Sequence, residues 1–209
     1  MPASDFADHG ITVTGTGVAS AVPDLFVIEV AAEVVAATPS DAFSGASSSL
    51  GAIHTAALAA GVARSDLRSG EMSLWTDHDR EGVARGYRAS LRLEVSVRDL
   101  AQAGTVLSLL VAAGGDAARV QSTRFAYSAP DALAASARDS AFAEAERRAG
   151  RYAELAGRPL GAVVSVVESD VEGGPRPMAA LTAVGGASPP VSPGAFALTA
   201  RVTVSWAWG

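Results

Sequence analysis

Apolar and polar positions alternate strictly in three stretches of this chain. From Phe26 onward, Phe26, Ile28, Val30, Ala32 and Val34 fall on one side, with Glu29 and Glu33 on the other. Tyr87, Ala89, Leu91, Leu93, Val95 and Val97 alternate with Arg88, Ser90, Arg92, Glu94, Ser96 and Arg98. Near the end, Phe196, Leu198, Val202, Val204, Trp206 and Trp208 oppose Thr199, Arg201, Thr203 and Ser205. A period of two with one polar face predicts strands in a sheet covered on one side, which favours antiparallel pairing. Shorter strands are predicted over 11–21, 71–76, 120–127 and 162–168, with Pro23-Asp24 as a turn between the first two.

Three helices are predicted between the strands. Thr38-Pro39-Ser40-Asp41 supplies a hydroxyl cap, a proline at the first helical position and an acid in the first turn. The stripe that follows is Phe43, Ala46, Leu50, Ile53 and Ala57, ended by Gly61. A shorter helix carries Leu100, Ala103, Leu107 and Leu110 and stops at Gly114-Gly115. The third starts after Ser128-Ala129-Pro130-Asp131, runs to Gly157, and presents Ala137, Ala141, Ala145, Ala149 and Ala153 one turn apart. Small residues along one face let a helix lie close to its neighbour. Strands grouped around single helices predict an α+β fold, a mainly antiparallel sheet with three helices packed on one face. The stretch 172–194 holds five prolines, including Pro175 and Pro177, and reads as a flexible flap.

Composition narrows the function classes. Hydrophobic residues make up 49% and charged residues 18% of 209, a globular balance, and a chain this long needs no disulfide or metal to build a core. A net charge of -6 argues against nucleic-acid binding, which needs a concentrated positive field. Zero cysteine excludes thiolate metal sites and cysteine nucleophiles. All 16 basic residues are arginine, so Schiff-base and phosphate-loop lysines are excluded too. Residues 1–10 carry acids where a signal peptide needs positive charge, and no run approaches the ~18 uninterrupted apolar residues of a membrane helix. As written, the sequence predicts a cytoplasmic chain with no membrane span and a flexible segment over 1–10.

Individual motifs carry little chemistry. Gly15-Thr16-Gly17 lacks the third glycine and the following helix of a dinucleotide fingerprint, and reads as a bulge or twist in the first strand. Asp77-His78-Asp79 has metal-binding residue types but sits where a hairpin turn is expected, and His54 flanks the buried stripe of the first helix. Arg147, Arg148 and Arg151 are interleaved with Glu144, Glu146 and Glu154, with Glu144 and Arg148 at the i, i+4 offset, the pattern of a solvated ion-paired face. Arg88, Arg92 and Arg98 on one strand face keep the sheet surface soluble if that face is exposed; if it pairs with Glu29 and Glu33, it is a cross-strand lattice or an assembly surface. Trp206 and Trp208 read as core, with an interface as the minority alternative.

The ordered set of motifs resembles the SIMPL domain family. The residues that carry it are Ile11-Thr12-Val13-Thr14-Gly15-Thr16-Gly17 before Pro23-Asp24, then Ala60-Gly61-Val62 with Ser65-Asp66-Leu67. Gly86-Tyr87 leading to Val97-Arg98-Asp99-Leu100, Leu155-Ala156-Gly157 with Leu160-Gly161, and Pro193-Gly194 before the last strand complete it. The resemblance implies an α+β fold, assembly into a homo-oligomer, and a loose tie to envelope or oxidative stress, with no catalytic residues or cofactor to carry over. Two departures stand out: there is no export signal of the kind common in bacterial relatives, and arginines replace the lysines often found along the third helix. The expectation is one SIMPL-like domain over 11–209 that is non-enzymatic and self-assembling, a scaffold or stress-related binding protein. Its candidate assembly or binding surface is Arg88, Arg92, Arg98, Pro175, Pro177, Trp206 and Trp208. The alternatives are a binder of a small molecule or peptide beneath the 172–194 flap, or a hydrolase with a site near Asp77-His78-Asp79.

Overall fold

A computed structural model describes residues 10–176 and 195–209. In chain order the elements are β1 (Ile11–Ala21), β2 (Leu25–Ala36), α1 (Pro39–Ala59), β3 (Leu67–His78), β4 (Ala84–Val97), α2 (Ala103–Gly114), β5 (Ala118–Ala126), α3 (Pro130–Leu155), β6 (Leu160–Arg176) and β7 (Ala195–Trp208). The α+β class, the antiparallel pairing and the three helices are as expected. The strands, however, divide between two sheets, and the described chain between two compact units, so the helices do not share one face of a single sheet. Alternation tells which face of a strand is buried but not which strand lies beside it.

One unit is the continuous segment Asp24–Ala126. Its four strands lie in the order β3-β4-β2-β5, every neighbouring pair antiparallel. With α1 and α2 this is the β-α-β-β-α-β order of a split βαβ fold. Thr38 caps α1 by accepting the Asp41 N–H at 3.1 Å, and Gly61, at φ 86°, closes its C-terminus. The core joins Ile28 and Val30 of β2, Leu93 and Val95 of β4, Ile53 of α1, and Val106 and Leu110 of α2. The predicted stripe on α1 needs one correction. Ala42, not Phe43, is buried, because the first turns of α1 press on Ala89 and Leu91 through Ala42 and Ala46 while Phe43 turns outward. The run Leu100–Ala117 is long and apolar enough to cross a membrane by length and composition; in the fold it forms α2 with a 3-10 turn at each end, and Val106 and Leu110 are core residues.

The other unit joins the residues before 24 to those after 126. Its sheet has the order β1-β7-β6, antiparallel throughout. Ala137, Ala141, Ala145, Ala149 and Ala153 of α3 pack on Ile11, Val13, Val202, Val204 and Trp206. A bulge or twist is expected at Gly15-Thr16-Gly17; the register of β1 on β7 is unbroken from Ile11 to Ala21, so no bulge occurs there. These glycines serve a steric purpose instead. A Cβ on Gly15 would stand 2.6 Å from the Ala145 nitrogen, and one on Gly17 would overlap the backbone of Ala137 and Ala141. Alanine on the helix and glycine on the strand together bring two backbones into contact. The first residues of the predicted flap, 172–176, continue β6 in register with β7. Residues 177–194, with Pro177, lie outside the described residues, as does the segment 1–9.

Candidate functional site

The face of the β3-β4-β2-β5 sheet opposite α1 carries an ordered charge lattice. Antiparallel register sets Glu33 beside Ser90, Glu29 beside Glu94 and Trp75 beside Arg88, so long side chains meet along diagonals. Arg88 sits between two carboxylates: its NH1 donates to Glu33, and its NH2 and Nε donate to Asp77 Oδ1 at 2.8 and 3.0 Å. Donation to Asp77 above all, with donation to Glu33 added and burial opposing, holds Arg88 more firmly protonated than an isolated guanidinium. Arg92 bridges Glu29 and Glu71, each at 3.5 Å, and Arg124 donates to Glu94 at 2.8 Å. Arg88 and Arg92 each pair with carboxylates on both neighbouring strands, and Arg124 of β5 reaches past β2 to Glu94 of β4, so three arginines tie together five carboxylates. Among the sequence readings of these arginines, the geometry contains a cross-strand lattice of Arg88 and Arg92 with Glu33 and Glu29.

Arg98 does not belong to that lattice. β4 ends at Val97, and Asp99 accepts the Ala101 N–H at 3.0 Å to turn the chain into the 3-10 segment before α2. Arg98 then grips Asp66 through two parallel bonds of 2.7 Å, a fork that fits a carboxylate. Asp66 is only 8% exposed. The Arg98 hydrogen bonds hold its carboxyl below the ordinary carboxylate range, against the opposing effect of burial. The pair closes one wall of a cleft of about 300 Å³ whose floor is Val62, Val97 and Val106. A second, shallower groove runs along α1 past Leu50 and His54 toward Leu91 and Leu93.

The remaining candidates fall elsewhere. Trp206 is 3% exposed and packs under α3 against Phe142, so it is a core residue and not a surface one. Trp208 is partly buried, with the Arg158 guanidinium 4.6 Å from its ring centroid. Pro175 is a residue of β6 whose backbone lies opposite Phe196. Asp77 is taken up by Arg88, and Asp79 Oδ1 accepts the N–H groups of Glu81 and Val83 at 3.0 and 2.9 Å, ordinary turn chemistry. Among the described residues no three His, Asp or Glu side chains converge as a metal site would require.

Two features escape pattern reading. Glu144 and Arg148 do form an i, i+4 pair, 4.0 Å apart, but both also reach the backbone of β1. Glu144 accepts the Thr16 N–H, and Arg148 donates to the Thr14 carbonyl at 2.6 Å. The second feature is the bareness of β6. Among the described residues it is an edge strand, α3 lies across β1 and β7, and Val163, Val164, Val166 and Val167 are 46%, 69%, 52% and 60% exposed. No alternation marks this strand, because valines occur on both of its faces.

The chain is 30% identical over 181 residues to the 26 kDa periplasmic immunogenic protein of Brucella melitensis biotype 1, covering 81% of this chain and 70% of that protein. The 26 kDa periplasmic immunogenic protein of Brucella abortus strain S19 matches to the same extent. The family model described as SIMPL, a protein of unknown function (DUF541), matches residues 11–206, from the first residue of β1 to the tryptophan beneath α3, and the chain therefore belongs to the SIMPL family.

Proposed function

We propose that this chain is a non-enzymatic, self-assembling SIMPL protein that acts as a scaffold or stress-related binding protein. The observation that carries the reading is β6, a 17-residue edge strand with four exposed valines distributed over both faces. An unpaired row of backbone donors and acceptors flanked by apolar side chains is a template for a strand from another chain. Its pairing with β7 shifts register at three places, and the regular stretch Ser165–Ser169 between two of them is where an added strand fits best. The carboxylates and arginines of the charge lattice are committed to one another, which favours a structural role for that face over a catalytic one.

Light scattering coupled to size exclusion tests the reading. A mass several times 21.0 kDa supports it, and a 21.0 kDa species at every protein and salt concentration overturns it. Val164→Lys with Val167→Lys, which places gatekeeper charges on the edge, should dissociate the assembly while leaving the circular dichroism spectrum unchanged. The compartment belongs to the same question. The Brucella relatives are named as periplasmic, and fractionation of cells expressing the natural gene tests whether this chain shares that compartment.

A further inference from the structure

The cleft beside the Asp66–Arg98 fork lies wholly within Asp24–Ala126. The turn beyond α1 supplies Val62 and Ala63, the end of β4 supplies Val97 and Arg98, and the helical run after Asp99 supplies Gln102 and Val106. Val62, Val97 and Val106 belong to the core cluster, so the floor is apolar and rigidly packed. A volume of about 300 Å³ is at the small end of the range for ligand pockets.

The charges at the rim are not equivalent. A guanidinium presents two forks of N–H donors. Asp66, 8% exposed, takes the Nε/Nη2 fork with both of its oxygens at 2.7 Å. That fixes the plane of a side chain otherwise 63% exposed and leaves the Nη1/Nη2 fork, for which no acceptor stands among the described residues. The acids are already engaged: Asp66 lies in the fork, and Asp99 accepts the Ala101 N–H at 3.0 Å. What remains is a flat, two-pronged donor held at the edge of an apolar hollow, which is the complement of a carboxylate on a short hydrocarbon body. An ammonium would have to displace Arg98 from Asp66, and an inorganic anion would gain nothing from the three valines.

We propose that this cleft binds a small organic monocarboxylate, its carboxylate on the Nη1/Nη2 fork of Arg98 and its hydrocarbon part over Val62, Val97 and Val106. The inference goes beyond the assembly reading, which concerns β6, and stands or falls apart from it.

Equilibrium dialysis of the full chain against radiolabelled hexanoate tests it, since the readout does not depend on the mass of the protein in solution. Saturable uptake at one site per chain is expected. Unlabelled hexanol and inorganic phosphate, each keeping half of the recognition, should compete about tenfold more weakly than unlabelled hexanoate. Arg98→Lys, which keeps the charge but loses the fork, should weaken uptake about tenfold. Ala63→Phe, at an exposed lining residue, should fill the cleft and abolish uptake. No saturable uptake overturns the proposal, as does hexanol or phosphate competing equally with hexanoate. Unchanged uptake in either variant, with the circular dichroism spectrum of the parent, also overturns it. Should Arg98→Lys lose that spectrum, the competition and Ala63→Phe decide.

Discussion

Gly17 of β1 lies against α3 so closely that a Cβ there would overlap the carbonyl oxygen of Ala137. Strand and helix touch backbone to backbone, and the smallest side chains on both sides make that distance accessible. Gly17→Ala should therefore lower stability by about 1–3 kcal/mol through overpacking, although alanine suits a strand better than glycine elsewhere. Urea unfolding measures it. Gly51→Ala, on an exposed part of α1 with nothing near the added Cβ, is the control and should stabilise slightly.

A second expectation concerns Arg88, held between Glu33 and Asp77 with all three side chains partly exposed. Arg88→Ala should cost about 1 kcal/mol, since such pairs are weakened by solvent. Arg88→Glu should cost more, because three carboxylates would then converge on one site. Thermal melts at low and high salt separate the two effects: added salt should recover part of the loss in the glutamate variant and little in the alanine variant.

The third concerns acid. Asp66 titrates in the folded protein below its ordinary value of 3.8 because Arg98 donates two hydrogen bonds to it. The unfolded chain thus binds the proton more readily than the folded one. The contribution of the pair is full above the ordinary value and disappears as pH falls through the lowered folded-state value. Asp66→Asn should flatten the acid side of the stability curve, measured as the urea midpoint between neutral pH and strong acid. Identical acid limbs in parent and variant would remove Asp66 as a source of acid lability.

Much of the fold is legible in the sequence because its signals are local. The alternation in β2, β4 and β7, the cap at Thr38 with Pro39, and Gly61 and Gly157 past the ends of α1 and α3 each act within a few residues. What is not legible depends on partners distant in sequence. Arg98 follows the alternation of Arg88 and Arg92, yet the turn at Asp99 delivers it to Asp66 in another layer of contacts. Trp206 shares a strand face with Trp208, yet only Trp206 is sealed beneath α3. Glu144 and Arg148 announce themselves as a helix pair, but their reach to β1 follows from a helix-to-strand distance that only the glycines permit.

The discontinuity of the β1-β7-β6 unit has a consequence for synthesis. Thr12 meets Ser205 across the β1-β7 ladder from 193 residues away in the chain. Asp24–Ala126, by contrast, contains every strand and helix of its own sheet. On the ribosome that segment can close as soon as Ala126 has emerged, while β1 waits for its ladder until β7 has been made. The glycine-rich strand β1 therefore depends on synthesis reaching β7, and a chain truncated before β7 deprives it of the strand it pairs with among the described residues.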